Sequence, residues 1–163
     1  MKQTRLRNVP LKKKTGIGLE GSKRPLQGAK KGKKGKSTSP SKLKAELDRL
    51  FSLYIRAKYP KECYTCRAEG KVLQNGHFVS RSYLSTRWDE NNCRPQCVGC
   101  NIWGAGKPLD FEDRLIEELG MAEVTRIKAK RKELTKITRA QYEERIAQTK
   151  ALLEAIKLST PHP

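Results

Sequence analysis

The sequence predicts an α+β fold: a small, irregular, cysteine-bearing core flanked by α-helices, with a disordered basic arm ahead of it. Three observations predict this. Apolar residues recur at helical spacing on both sides of the chain's middle. Between about 61 and 107 that periodicity breaks, and Cys, Gly, Asn and Arg dominate. The positive charge is crowded into the first quarter of the chain. The expected organisation is an arm over 1–38, a leading helix over 39–60, the core over 61–107 and C-terminal helices over 108–158.

The arm follows from composition. The chain has 163 residues, 36 of them Lys or Arg and 17 Asp or Glu, for a formal net charge of +19. Residues 1–44 hold 15 of those cations and a single acid, Glu20, with no aromatic residue and no Cys. Such a segment cannot bury enough surface to offset the entropy of ordering it. Clustered cations gain from counterion release on a polyphosphate backbone, so the expected partner of the arm is nucleic acid. The alternative is a solubilising or targeting tract. Only 36% of the chain is hydrophobic and 6% aromatic, which leaves a modest core. No apolar run approaches the roughly 18 residues of a membrane span. No apolar stretch of signal-peptide type comes after the basic opening. These features argue against membrane, secreted and fibrous classes and predict a cytoplasmic protein.

The flanking helices follow from pattern. Ser39-Pro40-Ser41 is a helix start, because Ser caps and Pro fits the first turn. Leu43, Leu47, Leu50, Phe51, Tyr54 and Lys58 then repeat at helical spacing until Pro60. A second helix is expected from Leu109 or Asp110 to Leu119, stopped by Gly120. A third is expected from Met121 to about Leu134. Thr138-Arg139-Ala140-Gln141 is a capping box that opens a fourth, with Tyr142, Ile146, Leu153 and Ile156 on its apolar side. Its charged remaining faces suit packing or dimerisation rather than a membrane.

Four of the five cysteines form two Cys-x-x-Cys pairs, Cys63/Cys66 and Cys97/Cys100, with 30 residues between them. Each pair can chelate a metal from a tight turn, and two pairs complete a tetrahedral sulfur site. That is the donor set of closed structural zinc. Zinc binding would supply the folding energy that the missing apolar core does not. A site closed by four thiolates has no open position, so this zinc is not expected to be catalytic. Cys93 is expected to be a small buried hydrophobe rather than a fifth ligand. The rival reading of the four, disulfides or unrelated thiols, does not suit a cytoplasmic protein.

The insert between the pairs carries His77, since the only other His, His162, lies at the extreme C-terminus. Asn75-Gly76 is a favoured two-residue hairpin turn, which would place His77 at the start of the second strand. Alone, such a His is more often structural than catalytic.

Its neighbours form a pattern. Gly76-His77, Asn92 five residues before the second Cys pair, and Asn101 directly after Cys100 resemble the His-Asn-His/Asn (HNH) ββα-metal nucleases. More narrowly, Asn-Gly-His-Phe-Val-Ser-Arg, then Arg-x-x-x-x-Asn, then Gln-Cys-x-x-Cys-Asn resemble the NinG/Rap recombination proteins of lambdoid phages. The resemblance covers about residues 45–157 and leaves out the arm. It implies a zinc-clamped, HNH-like ββα-metal core and a structure-specific endonuclease for branched recombination intermediates, Holliday junctions or D-loops. In that role His77 is the general base. Asn101 offers its amide oxygen to a catalytic Mg²⁺ or Mn²⁺. Asn92 orients His77 or locks the loop, or else merely caps the helix of the second Cys pair. Arg81 and Arg87 clamp phosphate, with a solvated charge as the rival role for Arg81. The partner would be DNA, a homodimer would suit symmetric cutting of a junction, and the location would be the host cell's cytoplasm. The sequence departs from the pattern in one respect. Many ββα-metal sites hold an Asp just ahead of the His, and this chain has Gln74, Asn75 and Gly76 there. Two other functions stay open: a non-catalytic zinc-ribbon nucleic-acid binder, and a basic phage packaging or structural accessory protein.

Overall fold

The first helix, α1, runs over Pro40–Lys58 and organises the elements after it. The structure is a computed structural model, which describes residues 38–159. The basic arm expected over 1–38 thus lies outside the described residues, apart from Thr38. The sequence stripe on α1 is its buried face: Leu43, Leu47, Leu50, Phe51 and Tyr54, joined by Ile55. Lys58, expected in that stripe, instead pairs with Glu90 at the surface. Ser39 is the N-cap, but its hydroxyl meets Ser41 Oγ at 3.0 Å and caps no backbone N–H. The helix ends at Tyr59, whose extended backbone is the conformation that the next residue, Pro60, favours.

Both sides of α1 are covered. On one side lies α4, Arg139–Ser159, where Tyr142 and Ile146 join Leu43, Leu47 and Leu50 in one apolar cluster. Its capping box is formed: Thr138 N donates to Gln141 Oε1 at 2.8 Å, and Gln141 N donates to Thr138 Oγ1 at 3.3 Å. On the other side, Phe51, Tyr54 and Ile55 pack on Cys93 of a two-stranded sheet. Beyond the sheet come α2, Pro108–Leu119, and α3, Met121–Lys130. These bury Phe111, Leu115 and Val124 with Tyr64 and Phe78. Gly120, at φ +82° and ψ 155°, takes a positive-φ conformation that suits glycine and separates α2 from α3. The third helix stops four residues short of Leu134 because nothing packs on its extension: Leu134 is fully exposed. Among the described residues no helix is long and apolar enough to cross a membrane.

The sheet pairs β1, Leu73–His77, antiparallel with β2, Cys93–Cys97, in a register that sets Gly76 opposite Arg94 and His77 opposite Cys93. This corrects the expected hairpin. Asn75-Gly76 is not a turn, and His77 closes the first strand instead of opening the second. The actual connection is the long loop 78–92. Gly76 is needed for close approach: a Cβ there would lie 2.1 Å from Gln96 Oε1. Gln96 is fully buried, and its Nε2 donates to Gly106 O at 2.8 Å and Thr65 Oγ1 at 3.2 Å. It cannot swing aside without breaking both bonds.

Strand pleating turns Arg94 to the face opposite Cys93. Its side chain is only 1% exposed, yet charged. Glu118 of α2 receives it in two bonds of 3.0 and 2.6 Å, and its guanidinium lies 4.4 Å from the Tyr59 ring centre. Burial pushes the Glu118 carboxyl up, but the Arg94 and Tyr64 donors outweigh this and hold it below the usual carboxylate value. A buried charge needs such a partner.

The Gly76 contact yields a test. Gly76→Ala should destabilise the protein by about 2 kcal/mol, the usual cost of overpacking, read as a lower midpoint in urea unfolding. A neutral result would mean that Gln96 repacks freely.

Candidate functional site

Two short turns bring the cysteines together. In the first, Arg67 N donates to Cys63 O at 2.8 Å and Cys63 N to Ala68 O at 3.0 Å. Arg67 itself takes a left-handed φ of 59° to close the turn. In the second, the chain leaves β2 at Cys97 and enters a wide π-type turn, Gly99–Trp103, in which Gly104 N donates to Gly99 O at 2.7 Å. The Sγ atoms of Cys63, Cys66, Cys97 and Cys100 then lie within 4.8 Å of one another, with Cys66 and Cys97 3.9 Å apart. A tetrahedron with metal–sulfur bonds of about 2.3 Å has edges of about 3.8 Å. The four are therefore positioned to bind a metal, and the donor set is compatible with structural zinc.

Burial alone would push the Cys63 thiol up. The N–H groups of Cys66 and Cys97 and the Thr65 hydroxyl outweigh it and bring the thiol down to about 6. Burial and its sulfur neighbours push Cys100 up to about 12. Thiols packed this closely cannot all ionise without a cation among them. Cys93 lies outside this group, fully buried against α1.

The loop 78–92 folds back on its own neck. Phe78 N donates to Asn92 O at 2.9 Å, and the buried Asn92 side chain does the rest. Its Oδ1 accepts from Val79 N at 2.7 Å, while its Nδ2 donates to Val79 O at 2.9 Å and Thr86 O at 3.0 Å. Of the roles expected for Asn92, this is the loop lock. No hydrogen bond joins it to His77 among the described residues.

Between α1, β1 and this loop lies a cavity of about 360 Å³. It gathers His77 from the end of β1, Arg81 and Arg87 from the loop and Asn101 from the π-type turn, with Asp48, Gln74 and Asn75 beside them. His77 Nε2 is 3.1 Å from Arg87 O. A carbonyl only accepts, so Nε2 carries the proton and Nδ1 the lone pair. Burial holds the imidazole below its ordinary pKa, with help from the nearby Arg81 and Arg87 charges. The Arg87 and Asn75 carbonyls oppose this only in part, so the balance favours the neutral imidazole. Asn101 donates its Nδ2 to Gln74 Oε1 at 2.7 Å, which leaves its amide oxygen as the group it can offer. The buried Oδ1 of Asn75, a residue of the same cavity, has no hydrogen-bond partner among the described residues.

The two arginines separate. Arg81 is 65% exposed at its side chain and touches Asp48 only loosely, at 3.8 Å, so its charge faces solvent. Arg87, expected from sequence to clamp phosphate, has its guanidinium engaged by a carboxylate. Its side chain is 8% exposed and its fork is filled by Asp48, through Nε at 2.8 Å and Nη2 at 2.6 Å, while Nη1 donates to Arg81 O. Asp48 also accepts from Trp88 Nε1 at 3.0 Å. Sequence reasoning missed Asp48, whose position on α1 reads only as the polar side of a helix. It ties α1 to the stretch of loop whose carbonyl orients His77. Asp48→Asn removes the charge facing a buried guanidinium and should cost about 3 kcal/mol. Urea unfolding of the variant, set beside Asp110→Asn as a surface control, checks this; equal midpoints would refute it.

The model of one protein family, the Bacteriophage Lambda NinG protein, matches residues 4–158. The match begins within the basic segment, so the family pattern reaches further towards the N-terminus than the resemblance over 45–157. Neither a search of curated proteins nor one of solved structures returns a match. The family match takes in nearly the whole sequence, and the chain belongs to the NinG family.

Proposed function

We propose that this chain is a metal-dependent, structure-specific DNA endonuclease with a zinc-clamped ββα-metal core, acting on branched intermediates of phage recombination. Membership of the NinG family supports the recombination setting. The observation that carries the chemistry is the cavity that brings His77, with its Nε2 on the Arg87 carbonyl, together with Arg81 and Asn101. The order of two strands, the π-type turn carrying Asn101 and then α2 supports that reading.

Phosphodiester hydrolysis needs a base for the attacking water and positive charge at the phosphate. His77 Nδ1 takes the proton of a water, and the Arg87 carbonyl steadies the imidazolium through Nε2–H. Arg81 meets the phosphate from the cavity rim. A divalent ion, when bound, would supply Lewis-acid stabilisation of the phosphate charge. The residues fit such an ion through oxygen donors of the hard type, the Asn101 amide oxygen and the unpartnered Asn75 Oδ1. These are neutral, so DNA phosphate oxygens would have to supply much of its coordination. Zinc in the four-cysteine centre would be structural: Cys63, Cys66, Cys97 and Cys100 would hold it, tying β2 and the Asn101 turn to the Cys63–Cys66 turn.

One observation favours a second reading, a non-catalytic zinc module that binds nucleic acid. Among the described residues the one carboxylate lining the cavity, Asp48, is spent on Arg87 and Trp88.

Two experiments decide. Metal analysis of purified protein should find one zinc per chain, and Cys97→Ser should lose both the zinc and the folded middle of the chain. Well-folded wild type without zinc would refute the clamp. In a branched-DNA cutting assay with Mg²⁺, His77→Ala should keep its zinc yet cut on the order of a hundredfold more slowly. Asn101→Ala should lose activity that raised Mn²⁺ partly restores. Wild type that cuts no branched DNA with any divalent ion would establish the binding module instead.

A further inference from the structure

The turn that carries Asn101 also carries an unexplained pair of side chains. Trp103 is 83% exposed and Ile102 54% exposed. Trp103 has neither an aromatic neighbour nor a hydrogen-bond partner among the described residues, whereas Trp88 has both, in Tyr142 and Asp48. Leaving an indole in water forgoes the burial that usually stabilises it. The backbone beneath it is firmly held. Cys100 is fixed in the sulfur cluster, Gly104 N bonds Gly99 O at 2.7 Å, Ala105 N bonds Ile102 O at 3.1 Å, and Gly106 N bonds Cys100 O at 2.9 Å. A Cβ on Gly104 would press on the Cys100 carbonyl at 3.0 Å, so the turn tolerates little else there. The ring is therefore displayed on a rigid support.

Ile102 lines the His77 cavity, and Trp103 is the next residue of the same turn. One cation shares the cavity with Ile102, and another packs on the turn at Gly104. Arg81 is on the same cavity, and Lys107 comes just after the turn, half exposed and only loosely paired with Asp110 at 3.8 Å. An aromatic face set among cations suits a nucleobase on a phosphate backbone, since every base has a face to stack and every phosphate a charge to meet. A protein partner would call for a wider apolar patch.

We propose that Trp103, with Ile102 beside it, is a stacking platform for an unpaired DNA base at a branch or gap. This rests on the nuclease reading only for what lies next to the base: stacking there would set the neighbouring phosphate over the His77 cavity. The platform distinguishes unpaired from fully paired DNA, because a base inside a duplex has no free face to offer.

The test uses the full chain in buffer without Mg²⁺ or Mn²⁺, so that nothing is cut. Affinities are measured for a paired duplex and for the same duplex with a three-nucleotide gap. Wild type should prefer the gapped DNA. Trp103→Ala should lose roughly tenfold on the gapped DNA and little on the duplex, and Trp103→Phe should keep most of the preference. Oligothymidylate should quench the indole emission of wild type but not the residual emission of Trp103→Ala. An unchanged gap preference in Trp103→Ala overturns the proposal. So does an equal loss on both DNAs, or a change in sedimenting mass with preference intact, which would make the patch a contact between copies. Cutting is scored separately. If wild type never cuts but Trp103→Ala loses its gap preference, the endonuclease reading falls and the platform stands. If wild type cuts and the preference survives in Trp103→Ala, the platform falls alone.

Discussion

The middle of this protein hangs on the meeting of four sulfur atoms. Residues 61–107 contain few side chains able to make a core, and those they do have are shared out to α1 on one side and to α2 and α3 on the other. What gives the segment a shape of its own is that Cys63 and Cys66 must reach Cys97 and Cys100. The meeting fixes where β2 ends and where the π-type turn starts. It therefore fixes where Asn101 and Trp103 point. Thr65, beside the first pair, also accepts from Gln96, so the same constraint positions the strand residue that lies across Gly76. The cavity is downstream of the cluster, though no sulfur lines it.

A second tie works from the opposite side. Asp48 grips Arg87 and Trp88 from α1, and the peptide between these two residues supplies the carbonyl that fixes the His77 tautomer. The imidazole is thus set by an ion pair it does not touch. Together, sulfur cluster and ion pair pin the two walls of the cavity to different parts of the fold.

Much of this is legible in the sequence where the signal is local. The helices can be read because apolar spacing, a proline and a capping box each act within a few residues: Thr138 and Gln141 do in the structure what their spacing says. The cysteine pairs can be read because chelation dictates their spacing. A motif picks out His77 and Asn101, and the cavity does contain both. The failures are those in which a distant residue decides. Asn75-Gly76 has the chemistry of a turn, but Gln96, from the partner strand, needs the space above Gly76 and keeps it in a strand. Arg87 has the chemistry of a phosphate clamp, but Asp48 from another element already fills its fork. No pattern within the loop reveals either partner. The third helix is shorter than its propensity suggests because propensity alone does not hold a turn that buries nothing, as at Leu134.

The closed neck of the loop 78–92 has an evolutionary corollary. Its geometry is secured by Asn92 against Phe78 and Val79 at the neck and by Thr86 and Arg87 on the returning limb, whereas Ser82 and Tyr83 at its tip are exposed. Changes of length at the tip need not disturb the neck, so the segment is free to diverge among relatives while the floor beneath it stays constant. It is the natural place for lineage-specific ornament, or for a grafted peptide, in a scaffold with few other permissive positions near its cavity.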